Sequence, residues 1–191
     1  LTIIRSIQNQ NLQEIEILCV NDNSNDKTLS ILKSLQKEDP RITIVTNKSN
    51  RGVLYSRIFG ALKSKGEYVT FVDADDALCN INILEKAYNI DTKEHNEKIE
   101  FGPFLLITTI NPSNFNHVIR KPEIGDNYMQ KKKNITGSGF VFDKIYSMEL
   151  IRKVADYIGP DIWNQNLIFV DDFLLAFAAM KMAASIVNIG D

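Results

Sequence analysis

The sequence has only two cysteines, Cys19 and Cys79, far apart and without paired spacing, so nothing in it points to a disulfide framework or a thiolate zinc site. Both read as small buried hydrophobes. It lacks any apolar run near the ~18 residues that a membrane-crossing helix needs. Its longest run, Phe173 to Met180, is far shorter. It also lacks an excess of either charge: 22 Lys and Arg stand against 24 Asp and Glu, a formal net charge of -2. A protein held to nucleic acid or an anionic membrane by bulk charge concentrates basic residues, so that class is disfavoured. The basic stretch Lys131, Lys132, Lys133 reads as a solvated loop. Gly137-Ser138-Gly139 has no third glycine and no suitable strand before it, and so makes no dinucleotide fingerprint. His95 and His117 have no partners at metal-ligand spacing and read as surface residues. Asn47-Lys48-Ser49 and Asn134-Ile135-Thr136 are formal glycosylation sequons of a kind that arises easily by chance.

With 191 residues, 44% of them hydrophobic and 24% charged, the chain has the make-up of a globular domain with one sizeable core. No internal repeat or linker divides it, so residues 1–191 are expected to form a single domain. The sequence opens at Leu1 inside an amphipathic pattern and closes at Asp191 just after a strand-like stretch. It reads as a piece truncated at its amino terminus, and at its carboxyl terminus too, so a missing leader or anchor carries no information.

Apolar residues of Leu1 to Ile7 fall on one helical face, and Asn9, Gln10 and Asn11 break it. Ile15, Ile17, Leu18, Cys19 and Val20 predict a buried strand. After the polar turn Asn21 to Asn25, Asp26 can cap a helix carrying Leu29, Ile31, Leu32 and Leu35. Ile42 to Val45 predicts a second strand, Asn47 to Gly52 a loop, Val53 to Lys63 a helix, and Tyr68 to Val72 a third strand running into Asp73-Ala74-Asp75-Asp76. Strands alternating with helices indicate a parallel α/β sheet, because parallel strands need crossover connections. Ligands gather at the carboxyl ends of such strands, where Asn21-Asp22 and Asp73 to Asp76 both fall. Further along, Ile83, Leu84, Ala87 and Tyr88 suggest a helix, Phe101 to Ile110 a strand, and Asn111 to Asn134 a long loop lining a site. Phe140 to Tyr146, a helix over Met148 to Ile158 and another over Asp172 to Met182 complete the pattern.

Two aspartates separated by one residue at the end of a hydrophobic strand suit a hard divalent cation, with phosphate oxygens filling its remaining positions. Asp73 and Asp75 meet that demand, although an acidic turn that only caps the next helix is the plainer alternative. Asp171 and Asp172 open a helix, where capping is again the plain alternative. Asp22 by itself reads equally as an ordinary turn residue, Arg57 more readily as a solvated helix residue, and Trp163 more readily as packing than as a ring stacked on a bound ligand.

Four ordered stretches resemble family 2 glycosyltransferases: EIEILCVNDNSNDKT over Glu14 to Thr28; Asn50-Arg51-Gly52 through Arg57 to Gly66-Glu67-Tyr68; FVDADD ending at Asp76; and IWNQNLIFVDDFLL over Ile162 to Leu175. The resemblance implies a GT-A type fold, a Rossmann-like three-layer α/β/α sandwich with a mostly parallel central sheet. It places Asp22 on the nucleobase, Arg57 on the nucleotide, Asp73 on ribose or metal, Asp75 on the metal, and Asp172 as the catalytic base. It implies Mn²⁺ or Mg²⁺ as cofactor, a nucleotide sugar, UDP-linked by expectation, as donor, and a glycan, lipid or protein acceptor. Transfer of a hexosyl or N-acetylhexosaminyl group with inversion follows from it, at a location in the cytoplasm or on the cytoplasmic face of a membrane. Departures are Asn21 for the first acid of the usual pair, Asn23 for the usual Gly, and Ile58 where Asn is frequent. The family's opening strand, with its Pro and aromatic residue, is not in the sequence. A non-catalytic binding module on the same fold is the rival reading. A nucleotidyltransferase is a second rival, but no glycine-rich basic loop follows the first strand to support it.

Overall fold

The computed structural model of the protein describes residues 1–78, 80–86, 88, 145–165 and 171–182. The elements in chain order are α1 (Thr2–Gln8), β1 (Ile17–Asn21), α2 (Thr28–Glu38), β2 (Ile42–Thr46), α3 (Val53–Lys63), β3 (Tyr68–Thr70), β4 (Ile145–Ser147), α4 (Met148–Ile158), α5 (Pro160–Trp163) and α6 (Asp171–Met182). The expected strand over 101–110, the loop over 111–134 and most of the stretch 140–146 lie outside the described residues.

β1 and β2 pair in parallel, with Ile17 opposite Ile42 and Asn21 opposite Thr46, and α2 is the crossover between them. Side chains alternate across that pair as the pleat requires. Ile17 and Cys19 from β1 and Ile42 and Ile44 from β2 pack with Ile4 of α1 and Leu32 and Leu35 of α2. On the opposite face, Leu18 and Val20 meet Gly60 of α3, where an added Cβ would stand 2.6 Å from the Val20 Cγ2. Helices therefore cover both faces of this pair. Glycine at position 60 is what lets α3 lie that close. Burial on its apolar side pushes the Cys19 thiol up to about 11.

The larger core joins Leu54, Ile58 and Ala61 of α3 to Phe71, Tyr146, most of the inner face of α4, and Leu175, Ala176, Ala178 and Ala179 of α6. α4 is strongly one-sided, with Leu150, Ile151 and Val154 fully buried, and Ser147 caps it by accepting a hydrogen bond from the Leu150 N–H at 3.2 Å. Gly159 at φ +80° ends it and Pro160 starts α5.

Two features depart from the sequence reading. β3 stops at Thr70, and its described partner is β4, antiparallel, with Tyr68 opposite Ser147. The mostly parallel pattern thus holds for β1 and β2, while β3 and β4 add an antiparallel pair whose members lie more than seventy positions apart in sequence, beyond the reach of any local pattern. α5 was not expected either, since four residues carry too little periodicity to be seen.

Candidate functional site

The first polar cluster sits where β1 ends. The Asp22 Oδ1 accepts hydrogen bonds from the Asn47 Nδ2 at 2.7 Å and the Arg51 backbone N–H at 2.8 Å, and its Oδ2 accepts from the Gly52 N–H at 2.9 Å. Gly52 is the N-cap of α3, so the carboxylate lies at the positive end of that helix. Gly52 has φ +84° and ψ 173°, a conformation that only glycine adopts freely, and this turn aims the two successive N–H groups at Asp22. Asn47 also donates to the Ser56 Oγ at 3.1 Å, tying the loop to the first turn of α3.

The second cluster follows β3. The Arg57 Nη2 donates to the Asp73 Oδ1 at 2.6 Å, and the Asp76 N–H closes a turn onto the Asp73 carbonyl at 3.1 Å. Asp75 is exposed at the tip of the turn. Asp76 is 6% exposed, and burial first, then the neighbouring Asp73 and Asp75 charges, push its carboxyl above the usual carboxylate range.

α3 connects the clusters. Gly52 serves Asp22 and Arg57 serves Asp73 from positions five residues apart, about 7.5 Å along one helix axis. α3 thus carries the partner of Asp22 at its N-cap and the partner of Asp73 midway along its length. Asp172 is the second residue of α6, which packs on α4 and α3. Its side chain and that of Asp171 lie outside the described residues.

The three departures acquire physical accounts here. Asn23 sits at φ +58°, a left-handed conformation that Asn tolerates far better than most residues, so it can replace glycine without altering the turn. Asn21 is buried and its Oδ1 accepts from the Ser24 N–H at 3.2 Å, a bond an aspartate would also accept. Ile58 is fully buried in the larger core, so its identity answers to packing.

A ladder of rings and cations runs beside the Asp22 loop. The Arg51 guanidinium lies 4.3 Å from the Tyr55 ring centroid and donates to the Asn164 Oδ1 at 2.9 Å. Tyr55 in turn stacks on Phe59 at 5.3 Å and meets Trp163 at 5.6 Å. Trp163 is thus a packing residue, half-buried against the core.

Sequence reasoning missed Asn47, Ser56 and Asp76. Asp76 was visible as part of an acidic run. Nothing local marks Asn47 or Ser56, because their roles arise only from the distance β2 and α3 close between them. Among the described residues no group of three or more His, Cys, Asp or Glu is arranged to hold a metal ion by itself. A cation at Asp73 and Asp75 would therefore need further oxygen ligands from a bound molecule.

An α/β fold with helices on both faces of a parallel pair, and carboxylates at the strand ends, defines a class of nucleotide-binding architecture. The profile described as "Glycosyl transferase family 2" matches residues 1–156, and the chain belongs to that family. The chain is similar to an uncharacterized glycosyltransferase of Haemophilus influenzae, at 35% identity over 92 residues, which is 48% of the chain and 36% of that protein. It is also similar to the GalNAc(5)-diNAcBac-PP-undecaprenol beta-1,3-glucosyltransferase of Campylobacter jejuni, at 42% identity over 76 residues, 39% of the chain and 25% of that protein. The matched stretches thus span little more than a third of these relatives at most. Among solved structures, S. aureus TarS 1-349 superposes with a TM-score of 0.72 and 22% identity over 100% of the chain and 53% of TarS 1-349. Its complex with UDP gives a TM-score of 0.71 at 20% identity, covering 100% of the chain and 53% of that one. These likenesses establish the GT-A type fold. Among the described residues no helix is long and apolar enough to cross a membrane.

Proposed function

We propose that the protein transfers a sugar from a UDP-linked donor to an acceptor hydroxyl by single displacement with inversion. The observation that carries this reading is that one helix, α3, holds the strand-end carboxylates Asp22 and Asp73 at neighbouring turns, through Gly52 and Arg57. Family membership and the UDP complex of the TarS neighbour support a nucleotide sugar as donor. The undecaprenol-linked compound named for the Campylobacter relative supports a lipid-linked or polymeric glycan as acceptor.

In this reading Asp22 receives the nucleobase, with the backbone N–H groups of Arg51 and Gly52 fixing its orientation. Arg57 sets the direction of Asp73, leaving the second carboxylate oxygen for ribose or a cation. Asp73 and Asp75 would hold Mg²⁺ or Mn²⁺ together with the donor diphosphate, and such an ion offsets charge that builds on the leaving group. Asp172 takes the proton of the acceptor hydroxyl as its oxygen bonds to the anomeric carbon, while the bond from that carbon to the diphosphate breaks and its electron pair leaves with UDP. For the base to act, its carboxylate must come within ~3 Å of the hydroxyl in the reactive complex.

Asp172→Asn is expected to lower transfer by about 10²–10⁴-fold with donor affinity kept, because general-base catalysis contributes that much. Asp75→Ala should remove most transfer and weaken UDP binding in Mn²⁺ as well. Single-turnover transfer assays paired with calorimetry separate these outcomes. Normal turnover in Asp172→Asn removes that residue from the mechanism. Donor binding without transfer in the unaltered protein, across a panel of acceptors, would instead make it a binding module.

A further inference from the structure

Gln10 follows α1 and is 1% exposed, among the most buried polar side chains of the protein. A buried amide survives only when its donors and acceptor are matched, and the partners of Gln10 lie far along the chain. Its Nε2 donates to the Asn80 carbonyl at 2.8 Å and to the Ser6 carbonyl at 3.3 Å, while its Oε1 accepts from the Leu84 N–H at 3.3 Å. Exchanging N and O would set the oxygen against two carbonyls, so these partners fix the amide orientation.

Neighbouring residues of α1 and its end add to the clamp. The Ser6 Oγ donates to the Ile3 carbonyl at 2.7 Å and accepts from the Leu78 N–H at 3.0 Å, and the Asn11 N–H donates to the Ile81 carbonyl at 2.8 Å. Behind these bonds Leu78 and Leu84 pack with Ile7, Leu12 and Ile15. The end of α1 therefore grips residues 78–84 by backbone groups, and the grip begins two residues after Asp76. Arg57 anchors the turn Asp73–Asp76 on its incoming side.

We infer that Gln10 is a positioning residue for the Asp73–Asp76 turn, setting the carboxylates in the place where the cation-bound diphosphate of the donor is held. This rests on the donor reading above. Glutamine suits the task because one side chain must donate to a carbonyl and accept from an N–H simultaneously, at the reach its length provides. Glutamate at position 10 would face the Asn80 carbonyl with an acceptor. Once protonated it could donate there and still accept from Leu84, and burial raises a carboxyl's pKa enough to make that protonation accessible at mildly acid pH.

The test uses UDP as the probe, with and without Mn²⁺, on the unaltered protein and on Gln10→Glu and Ser6→Ala, by calorimetry. Mn²⁺ is expected to tighten UDP binding in the unaltered protein. In Gln10→Glu at about pH 8 that gain should fall about tenfold, the scale of one lost buried hydrogen bond, with metal-free affinity unchanged. At about pH 6 the gain should return to within about threefold of the unaltered protein at the same pH. Amide exchange at Leu78 and Leu84 should quicken in parallel. Ser6→Ala, which removes the Leu78 anchor together with the hydroxyl's bond to the Ile3 carbonyl and leaves the Gln10 bonds in place, should show a smaller loss of the same kind and serves if the glutamate variant does not fold. Equal weakening with and without Mn²⁺ in both variants would reduce Gln10 to a general stabiliser and overturn its role here. A gain that survives intact in both variants overturns the role alone. An unaltered protein whose UDP affinity ignores Mn²⁺ overturns the donor reading, and the role of Gln10 with it.

Discussion

Among the described residues Asp22 is held by the loop 47–52, through the backbone N–H groups of Arg51 and Gly52 and the Asn47 amide. Asp73 and its turn instead depend on side chains from two other elements, Arg57 of α3 directly and Ser6 and Gln10 at α1 through residues 78–84. Backbone donors fixed by a short loop persist through most side-chain changes, and fail when the loop's dihedral angles change. Side-chain anchors behave the other way. Both ends of the proposed site thus depend on contacts distant in sequence, the nucleobase end chiefly through backbone donors of one loop and the diphosphate end through side chains.

Substitutions should separate the two. The largest effect is expected from Arg57→Ala: the guanidinium side chain is 10% exposed and its loss strands a partly buried carboxylate. Breaking one side of a buried pair costs about 3–5 kcal/mol, and the 34% exposure of Asp73 reduces this to about 2–3 kcal/mol. Urea unfolding reads that loss, and UDP binding in Mn²⁺ should weaken with it. Gly52→Ala comes next, at about 1–3 kcal/mol, because an L side chain at φ +84° is strained. Its damage should fall on metal-free UDP affinity, with the gain from Mn²⁺ preserved. If Gly52→Ala and Arg57→Ala altered the two affinities identically, the division between the ends would be wrong. The smallest effect belongs to Asn23→Gly, a few tenths of a kcal/mol in either direction, since both residues accept the left-handed conformation. Unfolding curves that differ by more than about 1 kcal/mol would show that the Asn23 side chain does more than tolerate the turn.

The parallel βαβ unit was legible because each piece is local: the apolar run through Val20, the Leu32 and Leu35 spacing, the run from Ile42, and the helix Val53–Lys63 appear where periodicity places them. Asp26 is not the cap it was expected to be: the N-cap of α2 is Lys27, without a side-chain cap bond, and the Asp26 Oδ1, one residue before the cap position, accepts from the Thr28 N–H at 2.9 Å. Asp22 and Asp73 were recognisable from their positions at strand ends and from resemblance. Arg57 was expected to meet the nucleotide, and its described contact is with Asp73, a partner that spacing could not name. The pairing of β3 with β4 and the burial of Gln10 were invisible, because each joins segments some seventy positions apart.

Local patterns alone therefore determined which segments are helices and strands in the first half of the chain, and which carboxylates stand at their ends. That follows from hydrophobic period and turn chemistry, both of which act over a few residues. Only the tertiary structure decided what holds those carboxylates: the approach of α3 to β1 over Gly60, the Arg57 contact with Asp73, and the grip of α1 on residues 78–84. Each depends on surfaces that meet once the chain has folded, and no spacing in the sequence encodes where a distant surface will come to rest.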